Sequence, residues 1–578
     1  MARIQKQWLL RDVDASLTGG LAEALSISPI TAAVLYGRGV VNPEQARSWL
    51  SPDTAVSHDP FLLPDMTHVV DRLHDAIVAR EQICFYGDYD VDGMTAISLH
   101  LLFFRSAGAR AVFYIPDRKT EGYGLNAQAI QQLARDGVSV LVTADCGTTS
   151  HEEVALAKQL GLDVIVTDHH QIQDRFPDVL AFLNPQRADS LYPFTGLCSG
   201  GLAYKVAEAY ASRYGNDGPP VESYRDLVAL ATVADIVPLR DENRYLVAGG
   251  LAQMTTNPRP GVQALKQRMG VEKACTTGTV AFRLAPILNA AGRLAHAQMG
   301  VRLLLADSEQ EASVLAGTLE QLNRQRREIE QAIFEEARLQ VDEENPPPAI
   351  VVGSREWHGG VVGIVAARLV ERFHCPAVVI AFDAYGVGRG SVRSIPGFDV
   401  CRALQESREW LESFGGHPAA AGLTLQEEAL PAFCQQFQQA VETSLDESSQ
   451  SPVLRVDAAV HLSDIHPGLL HEFDRLHPFG MGNPEPVLVA TALTVLEKRV
   501  VGDNHLKLMV RHEGAAPIEG IGFRMGHFAQ LGTCLQSPID LAFIPEINHW
   551  KGLDRVQLRI KDLRRSQPLR HVPCQLPH

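Results

Sequence analysis

At 578 residues, 46% apolar and 21% charged, the chain reads as folded and too long for one hydrophobic core, so two to four domains of roughly 100–200 residues are expected. Its nine cysteines are scattered without a CxxC pair, which argues against a zinc ribbon or a disulfide framework and suits a reducing cytosol. The formal charge of −16 excludes a protein that coats nucleic acid by global positive charge, so any grip on a polyanion has to be local.

The N-terminus lacks a signal-peptide apolar region, and no apolar run approaches the ~20 residues that span a bilayer, so a cytoplasmic protein without a membrane partner is expected. Residues 1–65 mix short helical patterns with the turn-rich Ser51-Pro-Asp and form an N-terminal segment. From Met66 to Arg80 the apolar spacing is helical (Val69, Val70, Leu73, Ile77). The apolar run Ile83–Tyr86 then ends in Gly87-Asp88, and the spacing predicts a helix over Thr95–Ser106 and a strand over Ala111–Ile115. Strand patterns recur at Val138–Thr143, Val164–Thr167 and Leu180–Leu183, with helical stretches between. Such alternation predicts a parallel, doubly wound α/β sheet within residues 66–305.

Ser308 to Glu344 predicts a long charged helix joining two domains (306–345), stopped by Asn345-Pro-Pro-Pro. A second α/β domain follows over 346–445, opening on the strand Ala349–Val352. Thr443 to Ser451 reads as a linker. Short strand patterns then fill 453–570 (Leu454–Val460, Val487–Lys498, His505–Arg511, Ile539–Pro545, Asp554–Ile560), as in an all-β barrel of the OB type.

The chemistry-bearing residues stand just after the strands of the first domain. Asp88, Asp90 and Asp92 alternate in Gly-Asp-Tyr-Asp-Val-Asp-Gly. An EF-hand loop fails here, because Leu99 holds the twelfth position and a strand precedes it. Three acids behind a buried strand repel one another unless a cation neutralises them. Asp145 ends the next strand, in a place where a lone Asp commonly just caps a helix. Asp168-His169-His170 ends another, and a carboxylate beside two imidazoles can fix a ring tautomer. Asp235 closes a later helical segment. Mostly oxygen donors with one or two imidazoles favour Mn2+ or Mg2+, and more than four carboxylates point to two ions and to phosphoryl hydrolysis.

These four motifs, in this order, resemble those of the DHH phosphoesterase superfamily, and the likeness to its RecJ branch is closer. It extends to Ile115-Pro-Asp-Arg118, Glu121-Gly-Tyr-Gly124, Asn184-Pro185, Leu288–Arg293, Gly386–Asp399, Phe414-Gly-Gly-His417 and Pro478–Glu485. The resemblance implies a DHH domain, a DHHA1 domain and an OB-like single-strand-binding domain in that order. It implies a 5′→3′ exonuclease of single-stranded DNA, acting in recombination and repair and releasing 5′-mononucleotides. Asp88, Asp90, Asp92, Asp145, His169 and Asp235 would hold two Mn2+ or Mg2+ ions, with Asp92, Asp145, His169 and His170 catalytic. Arg118, Arg293, Ser391 and Arg393 would seat the terminal phosphate, with His417 near the scissile one. Tyr86 occupies the place where many superfamily members carry a metal-binding His, and in this it resembles the RecJ-like proteins. The resemblance further implies a monomer that works with a helicase and single-strand-binding protein. In the C-terminal module Phe473, Phe479, Phe523 and Trp550, with Arg559, Lys561, Arg564, Arg565 and Arg570, are candidates to hold the strand. The competing readings are a nano-RNase or cyclic-dinucleotide phosphodiesterase of the same superfamily, and a non-catalytic DNA-binding scaffold of the same ancestry.

Overall fold

The computed structural model describes residues 6–51, 57–445, 451–530, 538–550 and 553–573, and they fall into two compact units. One holds Asp59–Asp235 and Gly250–Pro452, the other Lys6–His58, Ile236–Gly249 and the chain from Val453. No single helix among the described residues is long and apolar enough to cross a membrane.

The first unit opens on a five-stranded sheet. Its strands are β1 (Gln82–Gly87), β2 (Arg110–Tyr114), β3 (Val138–Ala144), β4 (Asp163–Thr167) and β5 (Ala181–Leu183). All pair in parallel, in the order β2-β1-β3-β4-β5. Continuous apolar runs such as Ile83–Tyr86 are fully buried, as in a parallel sheet covered on both faces. Helix α1 (Val91–Ser106) begins four residues before the sequence pattern predicts, because Asp90 caps it: Asp90 Oδ1 accepts from Gly93 N–H at 3.1 Å. Asp92 therefore lies inside the first helical turn rather than in a loop. Helix α1 packs on α2 (Ser199–Tyr214) and α3 (Arg225–Ala234).

Helix α4 (Ala285–Leu294) carries the Asn-Ala-Ala-Gly-Arg motif, and the long α5 (Glu309–Leu339) leads to the second sheet. The Ser308 hydroxyl caps α5 through Glu311 N–H at 3.2 Å, and the helix ends before the prolines. That sheet is mixed, in the order β9-β10-β8-β7-β6. Its strands are β6 (Ile350–Ser354), β7 (Ala377–Phe382), β8 (Val387–Arg393), β9 (Ser413–His417) and β10 (Ala420–Gln426), with α6 (Val362–Phe373) against β7 and β8.

In the second unit, strands Leu488–Val501, His505–Arg511, Ile518–Gly522, Leu553–Arg565 and Ile539–Trp550 pair in that order, and the last closes on the first. This closed barrel fits the expected OB-type module. The strand Ile518–Gly522 escaped the sequence reading because its two glycines leave little apolar alternation. Leu21, Val34 and Leu35, from the N-terminal segment, share one core with Leu488, Phe543 and Leu558. The strand Gln7–Arg11 pairs in parallel with both Val453–Val456 and Arg570–Val572.

Several residues offered as strand-binding serve the fold instead. Phe473 is buried in the core and Phe479 packs on it. Arg559 is paired with Glu485 and Glu546, and Arg564 with buried Asp540 while lying over the Trp8 ring. Phe523, Lys561, Arg565 and Arg570 remain exposed. The side chain of Trp550 and residues 446–450 of the expected linker lie outside the described residues.

Candidate metal centre and phosphate pocket

Strand order reverses between β1 and β3, where successive connections leave the sheet in opposite directions and open a crevice at its carboxyl edge. Asp88 follows β1 and Asp145 follows β3. Asp168, His169 and His170 follow β4, and Asp235 is the cap of α3.

Asp145 has φ 68°, a left-handed conformation uncommon for a residue with a Cβ. Its N–H donates to the Thr167 carbonyl (3.2 Å), and its own carbonyl accepts from the Tyr123 hydroxyl (2.9 Å). His169 Nε2 stands 3.1 Å from Asp145 Oδ1, 3.6 Å from Asp92 Oδ2 and 3.6 Å from Asp235 Oδ2. Three overlapping groups bring their ligand atoms within 4.8 Å of one another: Asp145, His169 and His170; Asp92, His169 and Asp235; Asp88, Asp90 and Asp145. All six residues expected to bind metal thus converge on one crevice, with Asp145 and His169 each shared between two groups.

The electrostatics fit a cation. Asp88 Oδ1 is buried and has no hydrogen-bond partner among the described residues. Burial first, then the neighbouring Asp90, pushes the Asp88 carboxyl well up. Burial and Asp92 raise Asp90, push Asp145 well up, and hold Asp235 up to about 8. Four crowded carboxyls of raised pKa are what a divalent ion would neutralise.

Asp168 has a different task. Its Oδ1 accepts from the N–H groups of His169 (2.8 Å) and His170 (3.2 Å) and from His170 Nδ1 (2.7 Å). Its Oδ2 accepts from the Thr148 N–H (3.0 Å) and hydroxyl (2.7 Å). Burial works against this carboxylate, but the bonds win and hold it at about 2. His170, lowered by burial, is raised more strongly by Asp168, to about 9. With Nδ1 committed to Asp168, its Nε2 is the nitrogen left to meet a ligand. Tyr86 donates to the Gly124 carbonyl at 3.0 Å and so anchors the loop that carries Tyr123.

Sequence reading missed the residues that aim this set. Ser199 and Gly200, at the start of α2, donate their N–H groups to Asp92 Oδ2 (2.8 Å) and Oδ1 (2.7 Å). The Ser199 hydroxyl reaches Asp145 Oδ1 at 3.2 Å, and Asn289 Oδ1 accepts from Val91 N–H at 3.1 Å. The Ser-Gly-Gly run opening a helix was the available signal for the first pair.

A cavity of about 660 Å³ in the same unit is lined by Arg118, Lys119, Arg293, Arg389, Ser391 and Arg393, by His358 and by glycines of β8, β9 and β10, with no carboxylate in its wall. Arg293 donates to the Gly360 carbonyl (3.1 Å), and Arg393 to Ser391 Oγ (2.8 Å) and the Val392 carbonyl (2.8 Å). Burial, then the nearby Arg118, Arg326 and Arg393, brings Arg293 down to about 10, as befits crowded cations awaiting an anion. The four residues expected to seat a terminal phosphate are together. Lys119, Arg389 and His358 were not foreseen. His417 is exposed at the end of β9, opposite Ala420, and is not part of the cavity wall.

Three family models match in order: the DHH family N-terminal domain over residues 82–232, the DHHA1 domain over 347–443 and the RecJ OB domain over 456–562. The chain is 37% identical to the single-stranded-DNA-specific exonuclease RecJ of Bacillus subtilis, over 97% of this chain and 71% of that one. It is 35% identical to its namesake in Dickeya dadantii, over 87% and 91% of the two chains. Among solved structures, RecJ of Thermus thermophilus in complex with Mn2+ superposes with TM-score 0.85 at 28% identity, covering 98% of this chain and 81% of that one. The Mg2+ complex gives 0.80 at 27%, covering 98% and 79%.

Proposed function

The chain belongs to the RecJ family of single-stranded-DNA-specific exonucleases, and from that membership and its site we infer that it hydrolyses single-stranded DNA from the 5′ end, with Mn2+ or Mg2+ as cofactor. It is a hydrolase of recombination and repair that releases 5′-mononucleotides. The observation that carries the polarity is the arginine-lined cavity beside the acidic crevice: Arg118 and Arg293 feel the charges of Asp88 and Asp90. A 5′-phosphate held by the arginines leaves the next phosphodiester to the acidic site.

Asp88, Asp90, Asp92, Asp145, His169 and Asp235 would hold two divalent ions, which supply Lewis-acid activation of water and neutralise charge on the phosphate. The protein's own groups do the rest. Ser199 and Gly200 fix the orientation of Asp92, and Tyr123 and Thr167 fix Asp145 in its left-handed turn. Asp168 and Thr148 hold the His170 ring so that Nε2 can donate to an oxygen of the scissile phosphate. Arg118, Arg293 and Arg393, with the Ser391 hydroxyl, fork the terminal phosphate. His417 would act from the rim, near the scissile phosphate.

We read the enzyme as a cytoplasmic monomer to which a helicase and single-strand-binding protein deliver the strand; family membership is the support for this. The nano-RNase reading has against it the matched OB domain, and the scaffold reading the complete acidic set.

The test is a time course on single-stranded DNA labelled at its 5′ or 3′ end. Early release of labelled mononucleotide from the 5′ label, with gradual shortening of the 3′-labelled strand, is expected. Opposite polarity, or cleavage confined to RNA of two to five residues, would overturn the assignment.

A further inference from the structure

Tyr89 stands between Asp88 and Asp90 in the chain, yet its ring packs against Arg118, a residue of the phosphate cavity wall. The Arg118 guanidinium carbon lies 4.9 Å from the ring centroid. Among the described residues no carboxylate or carbonyl takes a hydrogen bond from Arg118, whereas Arg293 and Arg393 are both tethered by backbone carbonyls. An aromatic face attracts a guanidinium without consuming any of its N–H donors, so Arg118 reaches the cavity with its whole fork available. The backbone of Tyr89 touches the other wall. At Gly292, next to Arg293, an added Cβ would fall 2.5 Å from the Tyr89 carbonyl oxygen, so the two segments meet at contact distance. One residue thus touches Arg118 and the neighbour of Arg293 while its own chain neighbours are two acids of the metal centre.

We propose that Tyr89 is a positioning residue that sets 5′-end preference and step size, by holding Arg118 at a fixed distance from the metal centre so that the terminal phosphate and the first phosphodiester are seated together. The inference rests on reading the arginine cavity as the seat of the 5′-phosphate. Without the ring, a long flexible arginine with no hydrogen-bonded anchor is free to fall toward Asp88, whose charge it already feels. The fork is then lost to the substrate, and a strand end is free to settle in more than one register.

The test compares kcat/KM on the same single strand carrying a 5′-phosphate or a 5′-hydroxyl, with products sized by electrophoresis. Because both substrates meet the same metal centre, their ratio cancels general damage to it. Tyr89→Phe keeps the aromatic face and should keep the wild-type ratio within about twofold. Tyr89→Leu should lower the ratio about tenfold and add dinucleotides to the products. In an Arg118→Ala background Tyr89→Leu should change the ratio no further, since both act through one guanidinium. Should Tyr89→Leu not fold, pentafluorophenylalanine at position 89 keeps the shape, reverses the charge of the face, and should lower the ratio likewise. A ratio unchanged in the leucine or the fluorinated protein overturns the role of Tyr89 and leaves the cavity reading standing. A wild-type enzyme indifferent to the 5′-phosphate overturns the cavity reading itself, and the inference with it.

Discussion

Both oxygens of Asp92 accept a backbone N–H from the first turn of α2, so the carboxylate is fixed in orientation while each oxygen keeps a lone pair for a ligand. The close approach needs Gly200: a Cβ there would lie 2.4 Å from Cβ of Ala231, on α3. Gly200→Ala should push α2 and α3 apart and weaken Mn2+ binding about 10–100-fold, the usual effect of disturbing a ligand's support. Calorimetric Mn2+ titration measures this. Ser199→Ala, which removes only the hydroxyl donor to Asp145, should cost less affinity. Asp145 makes the opposite kind of prediction. It is buried, and repelled by Asp92, Asp90, Asp88 and Asp235. Asp145→Asn should abolish cleavage, yet raise the melting temperature of the metal-free protein by about 2–4 °C by relieving that repulsion. It should also remove most of the stabilisation that Mn2+ gives the wild type. A metal-free variant that melts lower would mean that the crowded carboxyls are not a strained reserve.

At the scale of elements, what the sequence disclosed followed how locally each signal is written. Strands β1, β3 and β4 were legible because buried parallel strands are continuous apolar runs, and the acids were legible because each ends such a run. The start of α1 was not, since Asp90 reads equally as ligand and as cap, and it is the cap that places Asp92 in a helix. The role of Ser199 and Gly200 was illegible, because it depends on α2 meeting α1 more than one hundred residues away in the chain. In the barrel, a Phe pattern does not distinguish core from strand-binding face, and Phe473 proved to be core. The strand Gln7–Arg11 shows the same limit. It lies in a segment whose pattern reads as short helices, yet it is a strand, and Trp8 within it is buried, donates to Asp562 at 2.9 Å and lies beneath Arg564 at 4.3 Å. Trp8→Ala should therefore destabilise the second unit by about 3–5 kcal/mol, through the cavity and the lost hydrogen bond to Asp562. The upper or lower transition in a calorimetric scan should move, while kcat on a 5′-phosphorylated dinucleotide stays near the wild-type value.

At the scale of the whole molecule, the chain enters the second unit three times: Lys6–His58, Ile236–Gly249 and from Val453 onward. The catalytic set and the phosphate cavity both lie in the first unit, so chemistry and the OB barrel are separable in principle. They are not separable by a single cut. Ending the chain at Ser451 removes the barrel, and with it Leu488, Phe543 and Leu558, against which Leu21, Val34 and Leu35 are buried. The helices Ala15–Leu25 and Pro29–Tyr36 would then expose their apolar faces to water, at about 25 cal/mol per Å2 of newly exposed apolar surface. That truncated chain should aggregate on expression. Removing residues 1–58 together with the barrel should restore solubility, because the first unit keeps both its sheets and α5. The soluble core should still cleave a 5′-phosphorylated dinucleotide in Mn2+, but with a much higher KM on strands long enough to reach the barrel, and with a shallower salt dependence as phosphate contacts are lost. Size-exclusion chromatography of both truncations and KM against strand length at two salt concentrations decide it. A single-cut chain that stays monodisperse would show that residues 6–58 are stable without the barrel. A double-cut core with unchanged KM on long strands would show that the barrel does not hold the strand.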